Sequence, residues 1–95
     1  MDIAGRLESL LQAAERLGIE VRAEPMGSEG GGLCRLKGRQ VLFVDTAADL
    51  ATRYDRTLDA LAGLPELQNL YLLPEVRADL DRQASRVEHD QPGRP

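Results

Sequence analysis

The sequence predicts a small α+β domain in which three helices pack mostly on one face of a mixed, mainly antiparallel sheet. Three observations support this class. The length of 95 residues suits a single core; apolar residues recur with helical spacing in three segments; and short runs with strand-like alternation lie between the helical segments. We expect three to four strands in the order αβββαβα, one domain over residues 1–90 and a disordered tail over 91–95.

The first predicted helix begins after Asp2, whose side chain can cap it, and ends before Gly18. Its apolar positions form one stripe, made of Ile3, Leu7, Leu10, Leu11, Ala14 and Leu17. Residues 19–23 then alternate between apolar and polar, which predicts a half-buried strand. Pro25 ends that strand because it has no N–H for a sheet ladder.

Residues 33–45 predict a β-hairpin, because two β-rich runs flank a polar turn. A two-residue turn at Gly38 and Arg39 keeps the apolar side chains together, since a slip of one residue would invert every side chain. One face then carries Cys34, Leu36, Val41 and Phe43, and the other carries Leu33, Arg35, Lys37, Gln40, Leu42 and Val44. Because the first face has no polar residue, we expect the helices to cover it.

The second half of the chain predicts a helix, a fourth strand and a last helix. Asp45 or Thr46 can cap the first of these helices, and Gly63 with Pro65 can end it. The apolar run 70–73 predicts the strand, and the last helix begins at the proline that follows. With this strand, residues 41–72 would form a right-handed βαβ crossover.

The loop from Gly27 to Gly32 suggests an anion or small-molecule site, because bare backbone N–H groups can bind an anion. The residues of this candidate site are Gly30, Gly31, Gly32, Cys34, Arg35 and Arg39. The loop leads into a strand and lacks the spacing and the following helix of a P-loop, which favours a simple connector. We keep ligand binding as the alternative hypothesis.

Cys34 is the only cysteine, and His89 is the only histidine. Because Cys34 alternates with Leu36 on the apolar face, we expect it to be a buried core residue. A thiol-based sensor at Cys34 is a further alternative.

No set of residues has the spacing of a catalytic or metal site, so we expect neither catalytic residues nor a cofactor. The carboxylate pairs Asp55 with Asp59 and Asp79 with Asp81 have arginines among them, which indicates solvated, salt-bridged helix faces.

The chain carries a formal charge of −4 with both signs interspersed, so a nucleic-acid partner is not expected. No apolar run is long enough to cross a membrane, and the lone cysteine agrees with a reducing compartment, so we expect a cytoplasmic protein. The residues Leu70, Tyr71 and Leu72 would form a contact surface if their strand lies at a sheet edge. The leading hypothesis is a non-enzymatic binding or assembly module with a protein partner or a second copy of itself.

The run from Gly31 to Gly38, the strand that follows the turn, and the segment 70–77 resemble a class of small bacterial proteins that share a Gly-Gly-x-Cys-Arg hairpin. The resemblance covers about two thirds of the chain. It implies a bacterial cytosolic protein, and no activity can be transferred from that class.

Overall fold

Three α-helices, a three-stranded sheet and a short 3-10 helix make up the computed structural model, which describes residues 2–27 and 31–89, with side-chain surroundings through Arg86. The elements are α1 (Ile3–Arg16), β1 (Glu20–Glu24), β2 (Gly32–Leu36), β3 (Arg39–Asp45), α2 (Leu50–Leu61), the 3-10 helix (Pro65–Asn69) and α3 (Pro74–His89). The predicted α+β class is confirmed. The predicted tail over 91–95 lies outside the described residues.

Local signals set the helix ends. The Asp2 carboxylate accepts a hydrogen bond from the Gly5 N–H at 2.9 Å, which caps α1. Gly18 follows the helix with a φ of 83°, a conformation that favours glycine. The cap of α2 differs from the prediction: Asp49, not Asp45 or Thr46, accepts the Thr52 N–H at 2.8 Å.

The sheet is mixed, with strand order β1-β3-β2. The central strand β3 pairs in parallel with β1 and antiparallel with β2, so β1 and β2 form the two edges. The parallel pairing places Glu20 beside Val41 and Val21 beside Leu42.

The hairpin turn lies one residue earlier than predicted. Lys37 and Gly38 are its two central residues, with φ values of 51° and 79°, and Leu36 pairs with Arg39. Two positive φ values define a type I′ turn, whose twist matches that of the strands. Cys34 therefore lies opposite Val41 instead of Phe43. This register differs from the predicted one by two residues, so the predicted division of side chains between the two faces is kept.

The expectation that helices cover the face with Cys34 was wrong. The helices pack on the other face, where Leu42 and Val44 belong to the core and Leu33 and Val21 pack against it. The physical reason is the parallel neighbour of β3. On the Cys34 face, β1 contributes the charged residues Glu20 and Arg22, whereas on the other face it contributes Val21. The more apolar of the two completed three-stranded faces is the one that the helices bury.

The predicted fourth strand does not form, and neither does the βαβ crossover that it would complete. Leu72 is buried, but its segment is irregular. Side chains satisfy the backbone carbonyls of this segment where a strand ladder was expected. The Arg77 guanidinium donates to the carbonyls of Leu67 and Leu70 at 3.1 and 2.7 Å, and Arg16 donates to that of Tyr71 at 3.1 Å. The predicted strand was therefore wrong, and within this run Leu72 is buried whereas Tyr71 is 74% exposed.

The core lies between the sheet and the three helices. Its fully buried members include Leu10, Leu42, Leu61 and Val76, which come from α1, β3, α2 and α3. In the described part of the chain, no helix is both long and apolar enough to cross a membrane.

Candidate interaction surface

The uncovered side of the sheet carries four apolar residues, Cys34, Leu36, Val41 and Phe43, which we call the open face. None of them belongs to the core cluster formed by the sheet and the helices. Cys34 is exposed, Leu36 has 44% of its surface exposed and Phe43 is partly buried. Val41, on the central strand, is 2% exposed. The accessible apolar surface of the open face therefore lies mainly on the edge strand β2, at Cys34 and Leu36, with Phe43 partly accessible beside it.

Charged side chains border the open face on the side of β1. The Glu20 carboxylate accepts a hydrogen bond from Nε of Arg22 at 2.6 Å and lies 3.7 Å from the Arg39 guanidinium. The hydrogen bond and the positive charge of Arg22 lower the pKa of Glu20, and the same carboxylate raises the pKa of Arg22. The border therefore combines one acidic group with two basic groups.

The open face ends at a sheet edge, because β2 pairs only with β3. In a hairpin with a two-residue turn, the pair that closes the turn is hydrogen-bonded and the pairs alternate from there. Leu36 and Arg39 close this turn, so the N–H and C=O groups of Leu33 and Arg35 point away from β3. No backbone group of the described residues pairs with these outward groups. The edge of β2 is thus available for another strand.

The residues predicted for the anion site are spread along β2 and β3. Gly31 lies at one end, where a Cβ would meet the Phe43 carbonyl oxygen at 3.6 Å and Cδ of Arg56 at 3.8 Å. Arg35 and Arg39 lie at the other end, near the turn, where Glu15 and Glu20 line the same groove. Gly32 and Arg35 are separated by about 10 Å along the strand. Gly30 lies outside the described residues.

Cys34 and Arg35 also lie on opposite sides of the sheet, because side chains of a strand alternate. The structure places Gly31 near Arg56, and it places Arg35 and Arg39 near the hairpin turn. The glycines and these two arginines are therefore not brought together into the predicted anion site.

The predicted contact residues of the segment after the 3-10 helix have different surroundings. Leu72 is buried, Leu70 is partly buried, and Tyr71 is 74% exposed beside a groove along α1. Of these three residues, only Tyr71 has a largely exposed side chain.

Asp45, which was predicted only as a possible helix cap, is a buried carboxylate. It is 3% exposed, and one carboxylate oxygen accepts the backbone N–H groups of Met26 and Ala47, both at 2.9 Å. The other oxygen lies 3.8 Å from the Arg56 guanidinium. The hydrogen bond from Met26 is the largest cause that lowers the pKa of Asp45, and the hydrogen bond from Ala47 lowers it further. The side chain ties the loop after β1 to the end of β3.

A second buried carboxylate, Asp79 on α3, connects all three helices. It is 9% exposed, accepts a hydrogen bond from the Tyr54 hydroxyl at 2.6 Å and lies 3.0 Å from the Arg6 guanidinium. Burial, followed by this hydrogen bond and the negative charge, raises the pKa of Tyr54. The expectation that Asp79 lies on a solvated helix face was wrong, although it does form ion pairs. A usable signal was its spacing, because Val76, Asp79 and Leu80 fall on one helical stripe.

Within the described residues, no three His, Cys, Asp or Glu side chains are close enough to hold a metal ion. Comparison with protein-family models, curated proteins and solved structures finds no match.

Proposed function

We propose that this chain is a small non-enzymatic protein-binding module whose contact surface is the open face and the adjoining edge of β2. The observation that carries this proposal is the contrast between the two sides of one sheet. The side with Leu42 is covered by helices, whereas on the other side Cys34 and Leu36 are exposed and lie outside the core cluster. Exposed apolar residues grouped on one face of a sheet are typical of a protein interface.

The composition of the open face suits a protein partner. Its middle is apolar and contains the one aromatic side chain of the sheet, Phe43, while Glu20, Arg22 and Arg39 border it. An apolar centre with a polar rim is the usual organisation of a protein interface. A partner with a leucine-rich or aromatic surface and charged groups at its margin would match both parts.

The shifted pKa values also support a binding role over an enzymatic one. The groups concerned are Glu20, Arg22, Asp45, Asp49 and Tyr54. Hydrogen bonds within the chain are the main cause for four of these groups, such as the Met26 N–H for Asp45, and burial is the main cause for Tyr54. Of these five groups, only Glu20 and Arg22 border the open face, and each has the other as its partner.

The test compares two leucines of similar exposure. Leu36 on the open face is 44% exposed, and Leu50 at the start of α2 is 38% exposed. We expect the Leu36→Glu variant to lose the assembly or the co-purifying partner seen with the wild type by native mass spectrometry. The matched Leu50→Glu variant should keep it, because Leu50 lies outside the open face.

Equal binding by both variants would contradict the proposed surface. A wild-type protein that stays monomeric at high concentration and retains no partner in a pull-down would contradict the proposed function itself.

A further inference from the structure

The two edges of the sheet differ in how well they are protected against pairing with another strand. The edge strand β1 contains Glu20, Arg22 and Glu24 among its five residues, and Pro25 follows it directly. Charged residues and proline are the usual means by which proteins block an edge. The edge strand β2 contains only one charged residue, Arg35. The free edge of β2 is therefore the one suited to strand addition.

The outward groups of β2 are complementary to a second copy of β2. Leu33 and Arg35 each present one N–H donor and one C=O acceptor, and they are placed symmetrically about Cys34, the middle residue of the strand. An antiparallel copy that overlaps the whole of β2 places Leu33 opposite Arg35 of the second copy. Every outward donor then meets an outward acceptor, with nothing left over.

We propose that two copies of this chain associate through antiparallel pairing of their β2 strands, with a two-fold axis beside Cys34. This inference rests on the proposed function, and it identifies the protein partner as a second copy of the chain. An isologous contact of this kind is the commonest form of closed assembly. It joins the two sheets into one and brings the two open faces side by side.

Side chains favour the same register. Gly32 lies opposite Leu36 of the second copy, and a Cβ on Gly32 would meet no atom within 4 Å, so there is room for the leucine. Arg35 lies opposite Leu33 of the second copy, and the charges of the two Arg35 side chains do not face each other directly. A register centred on Arg35 would place these like charges opposite, which is unfavourable.

Proline at position 35 tests the backbone pairing directly. Since the Arg35 N–H points away from β3, Arg35→Pro leaves the hairpin hydrogen bonds intact and removes only an edge donor. Arg35→Ala is the matched control, because it removes the charge and keeps the donor. We expect Arg35→Pro to raise the dimer dissociation constant at least about tenfold and Arg35→Ala to change it much less, as measured by analytical ultracentrifugation. Circular dichroism checks that both variants are folded.

Cysteine cross-linking provides a second test that needs no change to the strand. In the proposed register the two Cys34 residues form a non-hydrogen-bonded pair, whose Cα atoms are about 4.5 Å apart, within the range of a disulfide. Copper phenanthroline should therefore oxidise the two thiols to an intermolecular disulfide at low protein concentration. A Cys34→Ser/Ser85→Cys variant places the exposed thiol on α3 and should cross-link only slowly.

A dimer that Arg35→Pro dissociates and that Cys34 cross-links supports the inference. A dimer that is insensitive to Arg35→Pro or that does not cross-link through Cys34 overturns it, because the copies then meet elsewhere. A monomeric wild type also overturns it. If that monomer still binds a different protein in a Leu36-dependent way, the proposed function stands and only the choice of a second copy fails.

Discussion

The two faces of the sheet differ in how far they are buried, although both carry apolar residues from the same hairpin. Leu42 and Leu36 are both leucines, yet Leu42 is 0% exposed beneath the helices and Leu36 is 44% exposed on the open face. The difference comes from β1, which places Val21 beside Leu42 and the charged Glu20 beside Val41. A two-stranded pattern defines two faces, and the third strand decides which of them becomes core.

The largest expected effect is a stability contrast between these two leucines. Leu42→Ala should reduce the free energy of unfolding by about 2–5 kcal/mol, because it leaves a cavity in the core. Leu36→Ala should reduce it by less than about 1 kcal/mol, because nearly half of the residue's surface is already exposed and its loss leaves no enclosed cavity. Urea unfolding of both variants measures the contrast. Equal losses would show that the helices do not distinguish the two faces.

A smaller loss of stability is expected when the Tyr54 hydroxyl, which links α2 to α3, is removed. Tyr54→Phe removes the hydrogen bond to the Asp79 carboxylate and should cost about 1.5–3 kcal/mol of unfolding free energy. Tyr71→Phe is the control, because Tyr71 is exposed, and it should change stability by less than about 0.5 kcal/mol. Thermal or urea unfolding that ranks the two variants in the opposite order would contradict the buried hydrogen bond.

The smallest expected effect concerns the stability of the protein in acid, to which the Asp45 carboxylate at the end of β3 contributes. The pKa of Asp45 is lowered in the folded chain, so its contribution is present above the unfolded pKa of about 3.9. That contribution is lost as the pH falls through the lower folded pKa. Asp45→Asn should therefore weaken the fall in urea midpoint below about pH 4. Asp49 has its pKa lowered in the same direction by the Thr52 N–H, so part of the fall should remain.

Parallel pH profiles for the wild type and Asp45→Asn would contradict this role of the carboxylate. Since the amide can still accept the N–H groups of Met26 and Ala47, the comparison isolates the negative charge.

Features that depend on local sequence were predictable. The capping of α1 by Asp2, its end at Gly18 and the start of α3 at Pro74 follow from the chemistry of neighbouring residues. The hairpin also followed from a local pattern, as did the grouping of Cys34 with Leu36. These features involve contacts within one element or between adjacent strands.

Features that depend on distant contacts were not predictable. The covered side of the sheet depends on β1, which is separated from β3 in sequence by a glycine-rich segment and by β2. The segment after the 3-10 helix is held by the distant side chain of Arg16 and by Arg77. For the same reason the open face escaped prediction: the hairpin pattern identified its four residues and assigned them to the core.

The helices cover the Leu42 side of the sheet and leave Leu36 on the other side accessible, and this sidedness underlies the proposed interface. NMR of dilute methyl-labelled protein with a soluble paramagnetic agent tests it directly, because the agent broadens only methyl signals near the surface. We expect strong broadening of the Leu36 methyl signals and little change for those of Leu42. Protected Leu36 methyls together with broadened Leu42 methyls would contradict the claim.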